Sequence, residues 1–308
     1  MKLWSDDEVR AHLTWSGVLT ALEDAFQRRA EDPKQFIMPE RVALQVPGGT
    51  YLTMPCADRE GWFGVKQVSV LPDNPANGKS SVQAWYTLFD PTGTPALACD
   101  ATLLTRWRTA AVSALAANHL VPAQAKRLLV VGTGSLAPWQ GEAHAQVRNY
   151  ETVAVWGRDA DKAKRTADTL GSRLDTNIEI APDLEAAVKE TDVITVATTA
   201  QRAFIKGAWL RPGQHLDLVG AFVPEMAEAD ADAIKRADVF VDDLEAAKLE
   251  AGDLIQAQAQ GWSFDLVYGD LGEVVTGTAG RGGPNRITLF KSVGLALEDL
   301  AVAKLLTQ

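Results

Sequence analysis

Two groups of residues in this chain have types and spacing suited to chemistry. The first is a glycine turn, Gly132-Thr133-Gly134-Ser135-Leu136-Ala137, which follows the apolar run Leu128 to Val131 without a break. Gly132 permits a tight turn off a strand, and Gly134 lets a backbone approach a pyrophosphate seated on the N-terminus of the next helix. Ala137 takes the third small position of a GxGxxA fingerprint, and Pro138 falls in the first helical turn, where its missing N–H is not needed. A second apolar run, Val153 to Trp156, completes a strand–helix–strand unit, so the turn reads as a dinucleotide site. The second group is cationic: Arg41, Lys66 and Arg108. Lys66 stands between valines in Gly64-Val65-Lys66-Gln67-Val68, and Arg108 precedes the small residues Thr109, Ala110 and Ala111, which permit close approach of a backbone or cofactor. Singly, each reads as a surface charge, and a lysine on the wet face of an antiparallel strand accounts for Lys66 as well. Together, beside a nicotinamide, they suit a small anionic substrate carrying a carboxylate.

The end of the second strand bears on the choice of dinucleotide. An NAD site usually places Asp or Glu there to accept from the ribose 2′-hydroxyl. Here Gly157 and Arg158 occupy that place, and a guanidinium suits a 2′-phosphate, so NADP(H) is preferred and NAD(H) is possible. Asp159 follows; it either pairs with Arg158 or serves a ribose hydroxyl itself.

These residues need a frame. The 308 residues allow two domains with sizeable cores. Residues 4 to 30 read as two helical pieces, the first capped by Ser5 ahead of Asp6, Asp7 and Glu8. From Met38 the texture is that of strands, RVALQV, TYLTMPCAD, GWFGVKQVSV, SSVQAWYTLFD and PALACD, separated by Pro, Gly, Asn and Asp turns. They make an antiparallel or mixed sheet, and a helix over roughly Leu103 to His119 leads out of it. After Arg158, helices and strands alternate, with strands near Ile178 to Ile180, Asp192 to Thr198, Gln214 to Gly220 and Val239 to Asp242. Alternation implies a parallel sheet covered on both faces, with ligands at the carboxyl ends of its strands, including Thr198 and Gly220. The C-terminal stretch reads as a strand-like segment and then an amphipathic helix that could return to the first domain.

The bulk numbers exclude other classes. A net charge of -10 argues against nucleic acid. The N-terminus lacks the apolar core of a signal peptide, and no window is long and apolar enough to span a membrane. The two cysteines and four dispersed histidines form no metal-ligand pattern, and two cysteines fit a reducing cytoplasm.

The chain resembles the ornithine cyclodeaminase/mu-crystallin family over nearly its whole length. The residues that carry the resemblance are Met38-Pro39-Glu40-Arg41-Val42, Tyr51-Leu52-Thr53-Met54-Pro55, Gly64-Val65-Lys66, Asp90-Pro91-Thr92-Gly93-Thr94-Pro95, and Arg108-Thr109-Ala110-Ala111-Val112-Ser113-Ala114. To these are added Val131-Gly132-Thr133-Gly134, Leu271-Gly272-Glu273-Val274 and Phe290-Lys291-Ser292-Val293-Gly294-Leu295-Ala296. The resemblance implies a homodimer and an α/β fold: a Rossmann-type doubly wound parallel sheet, 121–285, inserted into a second α+β substrate and dimerisation domain, 1–120 plus 286–308. It implies that Arg41, Lys66 and Arg108 hold a substrate carboxylate and that Ser81 lines the same pocket. Cofactor contacts are expected from Thr109, Gly132 to Ala137, Gly157, Arg158, Thr198, Gly220 and Ser292.

The chain departs from the ornithine-converting members at Phe222, which stands where they carry an aspartate. Leu136 replaces a glutamine common in the glycine loop. Without that aspartate the amino group that must attack during cyclisation loses its base. The expectation is therefore NAD(P)H-dependent reduction of a pyrroline- or piperideine-2-carboxylate, with Lys66 as proton donor, its pKa lowered by two neighbouring arginines, and Phe222 walling the ring. The alternatives are an ornithine cyclodeaminase, an alanine-type amino acid dehydrogenase, or a non-catalytic NADP-binding protein like mu-crystallin.

Overall fold

A computed structural model of the chain describes residues 2–80 and 82–308. The first elements are β1 (Lys2–Trp4), α1 (Asp6–His12) and α2 (Trp15–Glu31), followed by β2 (Phe36–Ile37), β3 (Val42–Val46), β4 (Gly49–Asp58), β5 (Phe63–Val70), β6 (Val82–Phe89) and β7 (Pro95–Asp100). Ser5 caps α1 in a reciprocal box with Glu8, which is why the helix starts one residue after the cap and leaves Trp4 to a strand. The strands pair in the order β1-β7-β6-β5-β4-β2, with β3 also on β4, antiparallel throughout except for β1 against β7. Alternation sends Met54, Lys66, Tyr86 and Cys99 to one face in register, and that face is covered.

Helix α3 (Ala101–Leu120) follows, then β8 (Arg127–Val131), α4 (Ala137–Val147), β9 (Thr152–Trp156), α5 (Ala160–Gly171), β10 (Asn177–Ile180), α6 (Leu184–Glu190), β11 (Val193–Val196) and β12 (His215–Leu218). Next come α7 (Ala231–Arg236), β13 (Ala237–Val241), α8 (Leu244–Glu250), α9 (Gly252–Gln258), β14 (Val267–Asp270), α10 (Leu271–Val275), β15 (Ile287–Lys291) and α11 (Ala296–Leu305). The second sheet is parallel in every pairing and runs β10-β9-β8-β11-β12-β15-β13-β14. Its strands β8, β9 and β11 are largely apolar on both faces. Leu129, Val131, Ile194 and Val196 join one core, and Leu128, Val130, Val153 and Val155 join another with Ala163 and Leu170. A doubly covered parallel sheet is the reason those runs carry no polar alternation. Strand order reverses between β8 and β11, the switch point at which such sheets take ligands.

The chain forms two units, Met1–Thr109 with Gly294–Gln308, and Ala110–Val293. The boundaries expected at 120/121 and 285/286 shift for physical reasons. The distal part of α3 packs into the parallel-sheet core through Ala117, and β15 is hydrogen-bonded on both sides within that sheet, between β12 and β13. Only α11 returns to the first unit, where it packs on α2 and on β4, β5 and β6. Its surface is not simply amphipathic, because Glu298 and Asp299 are as fully buried as Leu297 and Leu300. Among the described residues no helix is long and apolar enough to cross a membrane.

Candidate active site

In the first unit the three cations converge. Lys66 projects from β5, flanked in register by Met54 of β4 and Tyr86 of β6, onto the face that α11 covers. Its Nζ lies 2.7 Å from Oδ2 and 3.0 Å from Oδ1 of Asp299. Arg108 of α3 donates from Nη1 to Glu298 Oε2 at 2.8 Å and has Nε 3.3 Å from Asp299 Oδ1. Arg41 donates from Nη2 to the carbonyl of Gly294 at 2.7 Å. Gly294 is itself demanded by the site. Its φ is +84°, and a Cβ there would lie 2.3 Å from Arg108 Nη1, so only glycine both turns the chain and leaves the guanidinium room.

Three positive and two negative side chains leave this cluster at a formal +1, the charge that complements one carboxylate. Buried charges persist only when paired, and α11 supplies the pairing from its first turn, where carboxylates also suit the helix dipole. Burial lowers the Lys66 pKa to about 8, with Arg108 adding to the effect and Asp299 opposing it. Desolvation, rather than the two arginines expected from sequence, therefore dominates, and of those arginines Arg108 is the one that acts. Ser81, expected in the same pocket, lies outside the described residues.

Glu298 and Asp299 were not anticipated. Read as one wet face of an amphipathic helix, they attract no notice. The available signal was two adjacent carboxylates framed by Ala296, Leu297 and Leu300 in a segment otherwise too apolar to face water.

The second unit carries the glycine turn. Gly132 has φ +124°, its N–H donates to Trp156 O at 2.9 Å, and a Cβ on it would lie 2.5 Å from Ala197 O. Past Gly134 the space is open. Leu136 occupies the position before α4 and makes no side-chain cap, Ala137 is fully buried, and Pro138 sits in the first turn. The leading N–H groups of α4 thus have no side-chain acceptor, the arrangement that receives a phosphate. A cavity of about 300 Å³ beside the turn is lined by Thr133, Gly134 and Ser135 together with Lys162 and Arg165 of α5. These features fit a dinucleotide pyrophosphate.

Gly157 and Arg158 follow β9, and Asp159 opens α5. Asp159 Oδ1 accepts from Lys162 N at 3.0 Å, so this carboxylate is the helix cap, and the same hydrogen bond holds it below the usual range. Arg158 is exposed and makes no hydrogen bond or ion pair among the described residues.

At the carboxyl ends of β11 and β12, Thr198 and Gly220 are joined by a second unanticipated carboxylate. Buried Glu228 accepts from Thr198 N at 2.7 Å, Thr198 Oγ1 at 2.8 Å and Gly220 N at 2.7 Å. In sequence it sits in the acidic run around Asp230, which reads as solvated surface. Ser292 continues β15 and donates from its backbone to Leu218 O at 3.3 Å, Phe222 is exposed just after Gly220, and Thr109 is buried at the end of the first unit.

Comparison with known proteins places the whole chain in one family. The model of the ornithine cyclodeaminase/mu-crystallin family matches residues 2–308. The ketimine reductase mu-crystallin of Rattus norvegicus is 33% identical over 307 residues, covering 98% of this chain and 95% of the relative. The structure of Thermococcus litoralis Delta(1)-pyrroline-2-carboxylate reductase in complex with NADH and L-proline superposes with a TM-score of 0.94 at 32% identity, over 100% of this chain and 96% of that one. An archaeal alanine dehydrogenase dimer with bound NAD gives 0.93 at 30% identity, over 100% and 95%. The chain belongs to the ornithine cyclodeaminase/mu-crystallin family.

Proposed function

We propose that this chain is an NAD(P)H-dependent oxidoreductase that reduces the C=N bond of a small cyclic imino acid, of the pyrroline-2-carboxylate or piperideine-2-carboxylate type, to the cyclic amino acid. The observation that carries the reading is the gathering of Arg41, Lys66 and Arg108 around Gly294 and Asp299 with one net positive charge. Arg41 and Arg108 hold the carboxylate by charge-assisted hydrogen bonds and so orient the ring. Lys66 donates the proton that the imine nitrogen needs, from a pKa near operating pH. The turn Gly132 to Ala137, with Thr109, Thr198, Gly220 and Ser292, holds the dinucleotide, whose reduced nicotinamide supplies the hydride.

NADP(H) is the preferred cofactor in this reading. Arg158 closes β9 where an NAD site would carry a carboxylate, and Lys162 and Arg165 add two cations beside the glycine turn. The working form is a homodimer. The sheet face opposite Lys66 exposes Val42, Leu44, Phe63 and Trp85, more apolar surface than a lone sheet face normally leaves to water, and the archaeal alanine dehydrogenase relative is a dimer.

The similarity to alanine dehydrogenase supports a second reading, reductive amination of an open-chain 2-oxo acid. A spectrophotometric panel separates the readings: NADPH and NADH, each with pyrroline-2-carboxylate, piperideine-2-carboxylate, pyruvate plus ammonia, and ornithine. Steady NADPH oxidation with the imines and none with the others is expected. Ammonia release from ornithine without net cofactor consumption would replace the reductase with a cyclodeaminase.

A further inference from the structure

We propose that Asp299 is a positioning residue of the reaction, one that fixes Lys66 and Arg108 in a single geometry and keeps Lys66 charged until it donates its proton. This rests on the reductase reading above. Asp299 is completely buried, both of its oxygens lie within 3.0 Å of Lys66 Nζ, and Oδ1 is also 3.3 Å from Arg108 Nε. One carboxylate therefore ties the proton donor on a strand to the carboxylate-binding guanidinium on a helix.

The charged and titratable groups facing this pair come from every packed element. They are Arg108 from α3, Glu298 from α11, the Tyr86 phenol from β6, and the thiols of Cys56 and Cys99 from β4 and β7, with Asp58 beyond. Burial pushes the phenol and both thiols up, so they remain neutral. Against Lys66 this leaves one cation, Arg108, that discharges it, and two anions, of which Asp299 is the one in contact. Without Asp299 a buried ammonium beside a guanidinium would shed its proton before substrate arrived.

In the step itself, Lys66 Nζ passes one proton to the imine nitrogen and becomes an amine. A bound reduced dinucleotide would supply the hydride that forms the new C–H bond at the imine carbon, and Lys66 recovers its proton from solvent. The place of Asp299 beside Nζ limits where that nitrogen can point. Glu298 pairs with Arg108 and does not touch Lys66 in the same way, so the two neighbouring carboxylates divide the work: Asp299 sets the proton donor, and Glu298 holds the anion clamp.

The test is the pH dependence of imine reduction in Asp299→Asn, Glu298→Gln and the parent protein, with NADPH binding followed by tryptophan fluorescence. Activity requiring protonated Lys66 falls as pH rises through its pKa. Removing an opposite charge in contact moves that fall to lower pH by roughly one to three units. Asp299→Asn is expected to show this shift with kcat lowered and NADPH affinity unchanged. Glu298→Gln is expected to move the limb less than Asp299→Asn does and to raise KM for the imino acid. An Asp299→Asn limb that coincides with the parent's, in folded protein, overturns the proposal.

Titration of 13C-labelled lysine Cε resonances reads the Lys66 pKa without turnover, so the proposal stays testable if the parent reduces no imine. A failed panel then counts against the reductase reading and an unmoved Lys66 against Asp299. If Asp299→Asn does not fold, Lys66→Met/Asp299→Asn decides. Soluble protein that binds NADPH supports the pairing, and a second unfolded protein assigns Asp299 to the scaffold alone.

Discussion

Gly294→Ala offers the sharpest perturbation of the cation cluster, because it moves Arg108 while every charged side chain of the cluster stays present. Replacing Arg108 itself would strand Glu298 and weaken the hold on Asp299, and breaking a buried pair costs about 3–5 kcal/mol, enough to confuse folding with function. The alanine methyl would lie 2.3 Å from Nη1 and 2.9 Å from Nη2 of Arg108, so the guanidinium must move away. A φ of +84° on a residue with a Cβ adds strain, roughly 1–3 kcal/mol. Loss of one well-aimed hydrogen bond to a charged group removes about 1.5–3 kcal/mol of transition-state binding. At about 1.4 kcal/mol per decade, kcat/KM for the imino acid should fall about ten- to a hundredfold. Steady-state kinetics with the imine varied at saturating NADPH measures the fall, and a thermal melt separately records the backbone strain. The glycine turn belongs to the other unit, so KM for NADPH should hold. A variant with a lowered melting temperature and an unchanged KM for the imino acid would refute the assignment of Arg108 to the carboxylate.

The remaining predictions concern the second unit. Gly132→Ala places a Cβ 2.5 Å from Ala197 O at φ +124°, and should abolish dinucleotide quenching of tryptophan fluorescence along with roughly 1–3 kcal/mol of stability by urea unfolding. Arg158→Ala should raise KM for NADPH about tenfold or more while leaving KM for NADH within a factor of two, as expected for loss of one charge-assisted bond to a 2′-phosphate. Burial raises the Glu228 pKa from 4.5 to about 8, opposed by Lys291 and by the donors of Thr198 and Gly220. A carboxyl with a raised folded pKa contributes stability that is present below 4.5 and is lost as pH climbs through 8. Urea midpoints for Glu228→Gln should therefore decline less across that window than those of the parent; identical slopes would show that Glu228 does not titrate there.

Where one physical rule governed a stretch, its reading from sequence agrees with the structure. The short apolar runs before Gly132 and around Ile194 read as strands covered on both sides, and GxGxxA after such a run reads as a dinucleotide turn. Lys66 between valines follows from period-two alternation, although the same pattern leaves open whether its face is wet or dry. What escaped depends on partners far away in the chain. β15 enters the sheet between strands that precede it, which no local pattern encodes. Glu228, in an acidic run, is buried only because two strand ends close over it. The capping role of Asp159 emerges only once α5 shows its starting residue.

The carboxylates of α11 change what the three cations mean. A cage of Arg41, Lys66 and Arg108 alone would hold three positive charges, two of them buried, in a protein that must fold before any substrate arrives. Desolvation at that charge density favours loss of the one proton that can leave, that of Lys66, which would leave the lysine neutral in the resting state. Glu298 and Asp299 cancel two charges within contact distance, so the resting cluster keeps +1 and an entering carboxylate brings it to zero. On that arithmetic a substrate with a second carboxylate leaves one negative charge uncompensated and should be reduced poorly. Iminosuccinate, a dicarboxylate substrate class represented among the structural relatives, supplies the comparison. A kcat/KM for iminosuccinate equal to that for pyrroline-2-carboxylate would mean that a further cation joins the cluster when substrate binds.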